Sequence, residues 1–333
     1  MKKVLKKSIA LTALLGLATS TLAACGQGSD QVVIYSNADE EALEIVRQTL
    51  DGNGYQGQYE IQTFGTSELG GRLLAEGNSI EADMITMSSY YIESAQERNN
   101  MFVPLALDKE TIDEIPDYYA PMTAQEGAII VNEELVKSEG LAVPKSIKDL
   151  ADPKYAGQVA VVDIESSSTA WLMVQALIDN YGEAEAEEIL AGIYKNAGDH
   201  IESSGSGPLN KVKAGEVAFG FGLRHQVQRE AENGVPIAVV DPTEGNYTLT
   251  ESLAVIDKGN EEKQNLAKEM INTIINEGRP AIQEFYPSAL YLGEESNADK
   301  EAAQAKKFGE PLTAELLAKH QELSTRAKQK AAQ

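Results

Sequence analysis

The chain of 333 residues has a single cysteine, Cys25, so it cannot form an internal disulfide bond. Its fold must therefore be held together by a hydrophobic core without covalent cross-links. Three common catalytic patterns are also missing, because the sequence has no nucleophile elbow, no HExxH zinc motif and no Walker-type phosphate loop. We therefore expect a binding protein without metal or cofactor, and a hydrolase is the enzymatic alternative.

Basic residues are scarce. The chain has 28 Lys and Arg residues against 52 Asp and Glu residues. Residues 1–24 contain four lysines and no acids, so the net charge of the remaining chain is near −28. This charge argues against nucleic acid and an anionic membrane surface as partners, because both would be repelled. The acids are spread along predicted helices, which indicates a solvated surface.

Residues 8–25 form an apolar run of about fifteen apolar or small side chains, which is too short for a comfortable bilayer span. The run follows a lysine-rich head and ends on Leu-Ala-Ala-Cys25. This ending resembles the lipobox of a bacterial lipoprotein, which implies cleavage before Cys25 and acylation of Cys25. We expect a signal peptide at 1–24, a lipid-anchored tether at 25–31 and an extracytoplasmic protein that contacts the cell membrane only through its lipid. A single-pass anchor and an ordinary secretory signal are the alternatives.

Apolar strands and amphipathic helices alternate in the first part of the chain. Residues 32–35 form a compact apolar run, and residues 40–50 carry apolar side chains at helical spacing. A second unit consists of a strand at 59–64, a helix at 68–76 and a strand at 82–87. This alternation predicts an α/β fold with a mostly parallel sheet and helices on both faces.

The later part of the chain repeats this pattern. About 309 residues follow the leader, more than one hydrophobic core usually holds, so we expect two lobes that close by hinge motion across a ligand cleft. Lobe 1 comprises residues 32–128 and 253–333, and lobe 2 comprises residues 129–252, with two hinge crossings between them.

The later part of the chain contains five predicted strands, at 128–132, 159–162, 217–222, 237–240 and 250–256. It also contains five predicted helices, at 169–181, 183–194, 223–233, 261–275 and 300–333. Pro280 and Pro287 mark a loop before the last helix.

Seven segments of the chain follow one another in a characteristic order, namely residues 33–37, 65–69, 75–77, 82–83, 144–150, 152–157 and 166–169. Their order resembles the substrate-binding proteins of ABC importers, specifically the ferric-ion-binding proteins and their relatives that bind aminoethylphosphonate or hexose phosphate. The resemblance implies a two-lobed periplasmic-binding-protein-like fold. It also implies capture of a small anionic solute and its delivery to a permease driven by a cytoplasmic ATPase, and we expect a monomer. A structural or adhesive surface lipoprotein is the alternative.

Polar residues follow several predicted strands, at positions where helices begin. Unpaired N–H groups and the helix dipole make such positions suitable for binding anions. For each residue taken alone, an ordinary N-cap is the alternative. The candidate ligand-binding residues at these turns are Ser36, Asn37, Asp39, Thr66, Ser67, Ser88 and Ser89 from lobe 1, and Ser166, Ser167, Ser168, Thr169, Ser204 and Ser206 from lobe 2.

Arg224 and His225 follow the predicted strand at 217–222. By resemblance, iron-binding relatives carry two adjacent tyrosines here, whose phenolates bind ferric ion. An arginine cannot ligate a cation, but its planar guanidinium binds phosphate or carboxylate through two hydrogen bonds. Arg224 therefore favours a phosphate- or phosphonate-bearing solute, with ferric iron as the alternative. Pairing of Arg224 with one of the many acids is the structural alternative.

Glu244 and Tyr247 lie in a loop that resembles a ligand-facing loop of organophosphate-binding relatives. A carboxylate there could hold an ammonium group or sugar hydroxyls, and a solvated turn is the alternative. Trp171 is expected to pack in the core more than to stack on a ligand. His200 and His320 have no evident partner in the sequence and are predicted to lie at the surface.

Overall fold

The computed structural model describes residues 31–295 and 300–333. The predicted signal peptide, Cys25 and all of the tether except its last residue lie outside the described residues. Within these two described stretches, no helix is both long and apolar enough to cross a membrane.

Ten strands in the described residues form one sheet. They are β1 (Val32–Ser36), β2 (Tyr59–Thr63), β3 (Met84–Ser88), β4 (Ala120–Asn132), β5 (Val159–Val162), β6 (Ile201–Glu202), β7 (Phe219–Leu223), β8 (Ile237–Val240), β9 (Asn246–Val255) and β10 (Ala305–Lys306). They hydrogen-bond in the order β2-β1-β3-β9-β4-β7-β5-β6, with β8 beside β4 and β10 beside β9.

The first three strands form the parallel unit that the sequence predicts. β1 pairs with β2 on one side and β3 on the other, both in parallel. The connections pass through α1 (Glu40–Gly52) and α2 (Thr66–Glu76). Every residue of β1 is buried, which explains why this strand is a continuous apolar run instead of an alternating pattern.

Two long strands, β4 and β9, join this unit to the rest of the sheet. They pair antiparallel with one another, β9 also pairs with β3, and β4 pairs with β7 and β8. The strands predicted at 128–132 and 250–256 are parts of these two elements. The hinge crossings were expected along them, and the predicted lobe boundaries stay a prediction.

Helices cover the sheet. Those after α2 are α3 (Ser89–Asn99), α4 (Glu133–Glu139), α5 (Thr169–Ala197), α6 (Gly207–Lys213), α7 (Arg224–Glu232), α8 (Glu261–Thr273), α9 (Arg279–Phe285) and α10 (Ala314–Ala331). α5 is interrupted at Gly182, whose φ of +75° favours glycine because other residues meet a steric penalty there. This break separates the two helices predicted at 169–181 and 183–194.

The predicted helix at 300–333 is correct only for its second half. The helix begins at Ala314, and Ala305–Lys306 instead forms β10 against β9. Pro280 does not mark a loop, because it lies in the first turn of α9, where proline has no hydrogen bond to lose. Pro287 follows the end of α9, as expected.

The prediction that His320 lies at the surface is wrong. Only 1% of His320 is exposed, and its Nδ1 accepts a hydrogen bond of 2.8 Å from the indole N–H of Trp171 in the core. A second buried bond of 2.7 Å joins the hydroxyls of Tyr194 and Ser324. These contacts hold α10 against α5. The expected core position of Trp171 agrees with its complete burial.

Burial makes the stability of the protein depend on the titration of His320. Burial and the nearby Lys319 lower its pKa from 6.5 to about 4, so the unfolded chain takes up the proton first. As the pH falls from 7 to 5, the free energy of unfolding is expected to decrease by about 2 kcal/mol more in the wild type than in His320→Gln, which keeps an acceptor but does not titrate. Urea unfolding at pH 7 and pH 5 measures this difference, and equal pH dependence would contradict it.

Candidate functional site

A cavity of about 190 Å³ lies where strand ends and helix starts from distant parts of the chain meet. We call it the central cavity. One side, the acidic wall, comprises Asn37, Asp39, Thr66 and Glu251. A second group of lining residues, the serine wall, comprises residues 166–169 and 203–206. Phe64, Gly65 and Gln125 complete the lining.

The central cavity brings together nine of the predicted ligand-binding residues. Each follows a strand or begins a helix, which is the placement that the sequence suggested. Asp39, Ser168 and Ser206, the N-cap residues of α1, α5 and α6, make no side-chain capping bond, although the Ser167 hydroxyl accepts from the Thr169 amide at 3.4 Å. The residues are Asn37, Asp39, Thr66, Ser166, Ser167, Ser168, Thr169, Ser204 and Ser206.

The acidic wall is organised by Asn37. Its side-chain amide donates to Glu251 Oε1 at 2.9 Å and to Thr66 Oγ1 at 3.1 Å. Glu251 is 3% exposed, and its second oxygen, Oε2, has no hydrogen-bond partner within residues 31–295 and 300–333. Asp39 Oδ2 accepts from the hydroxyl of Tyr286 at 3.3 Å.

Burial raises the pKa of both carboxyl groups of this wall. For Asp39, burial and the charge of Glu41 raise the pKa to about 6, against a hydrogen bond from Tyr286. For Glu251, burial and the charge of Asp39 raise the pKa to about 8, against a hydrogen bond from Asn37. The two acids repel each other, so they are harder to ionise together than either would be alone.

The serine wall consists of two turns in contact. Ser167 precedes α5 and its hydroxyl lies 3.4 Å from that of Thr169, while the hydroxyls of Ser204 and Ser206 are 3.4 Å apart before α6. Gly205 lies where the two turns meet, and a Cβ atom at this position would collide with the Thr169 hydroxyl. The wall therefore offers neutral donors at the N-terminus of a long helix.

The structure places Arg224 outside the central cavity. Its Nε donates to Asp241 Oδ1 at 2.8 Å and its Nη2 to Asp241 Oδ2 at 3.5 Å, while Nη1 bonds the Lys300 carbonyl. The alternative of pairing with an acid is therefore the one observed. No lysine, arginine or histidine lines the central cavity in the described part of the chain.

Three further candidates in the second half also lie outside this lining. His225 is half-buried and packs against the ring of Tyr286, with 4.3 Å between ring centroids, and desolvation and the nearby Arg229 lower its pKa to about 3. Glu244 is 1% exposed, and its carboxylate accepts from the amides of Ile147 and Lys148 at 2.9 and 3.0 Å. The Tyr247 hydroxyl donates to Asp179 at 2.8 Å. The ligand-binding role predicted for these three residues finds no support in the central cavity and stays a prediction.

Four serines from the first half also do not line the central cavity. Ser36 bonds the hydroxyl of Thr86, Ser88 is completely buried, and Ser67 lies in a separate surface depression. Ser89 bonds Ser252 at 2.8 Å and lines a second cavity of about 550 Å³. The second cavity is also lined by Ala124, Glu126 and Thr250. Their neighbours in sequence, Gln125 and Glu251, line the central cavity instead, because successive side chains of a strand point to opposite faces of the sheet.

Sequence reasoning missed Gln125 and Glu251, which lie within β4 and β9. The sequence does contain an indication of their role. Each is a polar residue in a strand whose other end is apolar and buried, and a polar residue in such a strand is unusual unless it faces a site. No group of three or more His, Cys, Asp and Glu residues in the described chain is arranged to hold a metal ion.

The fold and cavity define a class, the two-lobed periplasmic binding proteins. The structure is similar to the periplasmic binding protein AfuA from Actinobacillus pleuropneumoniae with fructose-6-phosphate bound, with a TM-score of 0.68, 20% identity and coverage of 90% of this chain and 97% of AfuA. It is also similar to iron-bound HitA from Pseudomonas aeruginosa, with a TM-score of 0.69, 19% identity and coverage of 90% and 99%. The predicted fold class is confirmed.

Residues 80–309, more than half of the chain, match the family described as bacterial extracellular solute-binding protein, and the chain belongs to this family. An uncharacterized protein of Haemophilus influenzae is 26% identical over 251 residues, 71% of each chain. The Fe(3+)-binding periplasmic protein of Serratia marcescens is 26% identical over 216 residues, 61% of each chain. The family comprises extracytoplasmic substrate-binding proteins that work with an ABC permease and ATPase, and the predicted resemblance is confirmed.

Proposed function

We propose that this solute-binding protein captures a small organic solute that bears a phosphate or phosphonate group. The observation that carries the proposal is the serine wall, where several hydroxyl groups and the N-terminus of α5 line one small cavity. Neutral donors at a helix N-terminus suit a phosphate group, because the helix dipole favours negative charge. Since AfuA is described with a sugar phosphate and HitA with iron, the choice of solute rests on the cavity itself.

Capture requires closure and no covalent chemistry in this proposal. The acidic wall takes Asn37, Asp39 and Thr66 from predicted lobe 1, whereas every residue of the serine wall comes from predicted lobe 2. A solute that contacts both walls stabilises the arrangement in which they face each other, so closure is favoured when the solute is bound. The protein then acts as a carrier, not as an enzyme.

We also propose that Cys25 is acylated and that the protein is a monomer with hinge crossings in β4 and β9. A lipid and a short tether would keep the protein close to its permease. The tether therefore raises the effective concentration of the solute-loaded protein at the permease, as a linker does for two joined binding modules.

A thermal-shift screen first identifies the best-binding compound among inorganic phosphate, hexose phosphates, phosphoglycerate, aminoethylphosphonate and ferric citrate. Calorimetric titration of the purified protein with that compound then tests the role of the serine wall. Each lost hydrogen bond costs about 1 kcal/mol, so the variant Ser168→Ala/Ser204→Ala is expected to bind the best phosphorylated compound about 30-fold more weakly. Ser138→Ala, an exposed serine on α4 that bonds the Leu135 carbonyl, is the control. Equal affinity of the double variant and the wild type would contradict the proposed site.

Ferric iron is a second candidate. Two buried carboxyl groups and the lack of a basic side chain in the described lining favour a cation. No tyrosine lines the central cavity in residues 31–295 and 300–333, so the phenolate ligands implied for iron-binding relatives have no counterpart there. Stabilisation by ferric citrate alone, with no response to any phosphorylated compound, would favour iron over the proposed solute.

A further inference from the structure

The second cavity lies on the other face of β4 from the central cavity, because Ala124 and Glu126 line the second cavity and Gln125 lines the central one. Its volume of about 550 Å³ is typical of sites that hold small organic molecules. Residues 305–308 form part of its wall, where β10 pairs with β9. The proposed function makes no use of this cavity, so it is a candidate for a second binding site.

Much of the lining of the second cavity is apolar. Ile112 belongs to this lining although 49% of the residue is exposed, so solvent reaches the cavity on this side. An apolar compound that enters here would remove apolar surface from water, which is favourable. The further apolar side chains of the lining include Leu249, Leu290, Phe308 and Leu312.

Acids outnumber bases in the same lining, which contains four acids and two lysines. Lys307 donates to Asp113 at 2.6 Å, and the ammonium group of Lys306 donates to a backbone carbonyl. Neither Glu126 nor Glu301 forms an ion pair within the part of the chain that the structure describes. The charged residues of the lining are Glu93, Asp113, Glu126, Glu301, Lys306 and Lys307.

Glu126 indicates where a positive group would bind. It is 8% exposed, and among residues 31–295 and 300–333 its carboxyl group contacts the Ala302 amide but bonds no side chain. Arg224 lowers the pKa of Glu126, but its guanidinium is paired with Asp241, and burial raises this pKa to about 7. A buried carboxyl group with so few partners is unfavourable, and a cationic group of a ligand would supply the missing one.

We propose that the second cavity binds an amphipathic organic amine, with its ammonium group beside Glu126 and its apolar body against Leu290 and Phe308. A phosphorylated compound would meet the excess of acids, and a neutral apolar compound would leave Glu126 without a partner. A bare metal ion would find no group of three or more His, Cys, Asp and Glu ligands in the described chain. The amine and the solute of the central cavity should bind at the same time, because β4 lies between the two cavities.

Matched pairs of compounds test this inference by calorimetric titration. Hexylamine, 2-phenylethylamine and tryptamine are each compared with the alcohol of the same skeleton, hexanol, 2-phenylethanol or tryptophol. The best amine is expected to bind the wild type about 30-fold more tightly than its alcohol, the value of one charged hydrogen-bonded contact. In Glu126→Gln this ratio is expected to fall towards one. Glu262→Gln, which removes an exposed carboxylate of α8, should keep the ratio.

A cavity-filling variant and a competition experiment locate the amine. Ala289 lines the second cavity, so Ala289→Leu is expected to weaken binding of the best amine and to leave binding of the best phosphorylated compound unchanged. Saturation of the protein with the phosphorylated compound should not displace the amine. Circular dichroism of each variant establishes that it is folded.

The outcomes separate this inference from the proposed function. Failure of all three amines to bind, equal affinity for amine and alcohol, or a ratio that Glu126→Gln leaves unchanged would overturn the amine site. Displacement of the amine by the phosphorylated compound would also overturn it, because the amine would then lie in the central cavity. Failure of every phosphorylated compound would overturn the proposed function alone and leave the amine site in place.

Discussion

Replacement of Gly205 by valine is expected to weaken solute binding by about 100-fold while the protein stays folded. Gly205 lies where the two turns of the serine wall touch, and a Cβ atom there collides with the hydroxyl of Thr169. The added side chain must therefore push the two turns apart or displace Thr169 from its place at the start of α5. Calorimetric titration with the best phosphorylated compound measures the loss.

Gly52→Val is the matched control for this variant. Gly52 ends α1, and a Cβ atom at this position would have no heavy atom within 4 Å. Its affinity for the solute should equal that of the wild type. If Gly205→Val also bound as tightly as the wild type, the solute would not contact the serine wall.

Replacement of Arg279 by methionine is expected to lower the free energy of unfolding by about 3–5 kcal/mol, because it leaves a buried carboxylate without its partner. Arg279 is fully buried and donates to both oxygens of Glu294, at 2.9 and 2.7 Å. It also donates to the carbonyl of Met122 in β4 at 2.8 Å. The arginine thus attaches the segment after α9 to one of the two long crossing strands. Urea unfolding measures the loss.

Two further variants show whether the loss comes from the buried charge. Arg47→Met removes an arginine whose partner, Glu40, is largely exposed, and should change stability by less than about 1 kcal/mol. The double variant Arg279→Met/Glu294→Met should be more stable than Arg279→Met alone, because no unpaired charge is left in the core. A loss of equal size in the two single arginine variants would contradict this explanation.

The α/β fold could be predicted because its signals are local. The apolar run of β1, the helical spacing of α1 and the turn between them lie within about twenty consecutive residues. The segment at 300–313 could not be predicted in the same way. Its backbone is fixed by distant partners, such as the pairing of Ala305 with Asn246 in β9 and the bond from the Ala303 amide to Asp241.

The serine wall could also be predicted, because serines at helix starts are visible in the sequence. The acidic wall was found only in part. Asp39 follows β1 directly, whereas Glu251 reaches the cavity through the antiparallel pairing of β4 and β9, in which Thr123 lies opposite Glu251. A register between strands more than one hundred residues apart is not encoded in any local pattern.

Arg224 and Glu244 show why the partners of charged residues are difficult to predict from sequence. The sequence predicts that Arg224, which follows a strand, binds an anionic ligand. In the structure its guanidinium donates to Asp241 and to the carbonyl of Lys300, and neither partner is indicated by a local sequence pattern. Glu244 was expected to face the ligand and instead binds two backbone amides. In both cases a charged side chain that is buried satisfies its charge within the protein.

A crystal structure of the protein with the best-binding phosphorylated compound tests the central claim most directly. The claim predicts the phosphorus atom beside residues 166–169 and 203–206, with the other end of the solute against Asp39 and Glu251. A phosphate group bound at Arg224, or a solute in the second cavity beside Ser89 and Thr250, would contradict it.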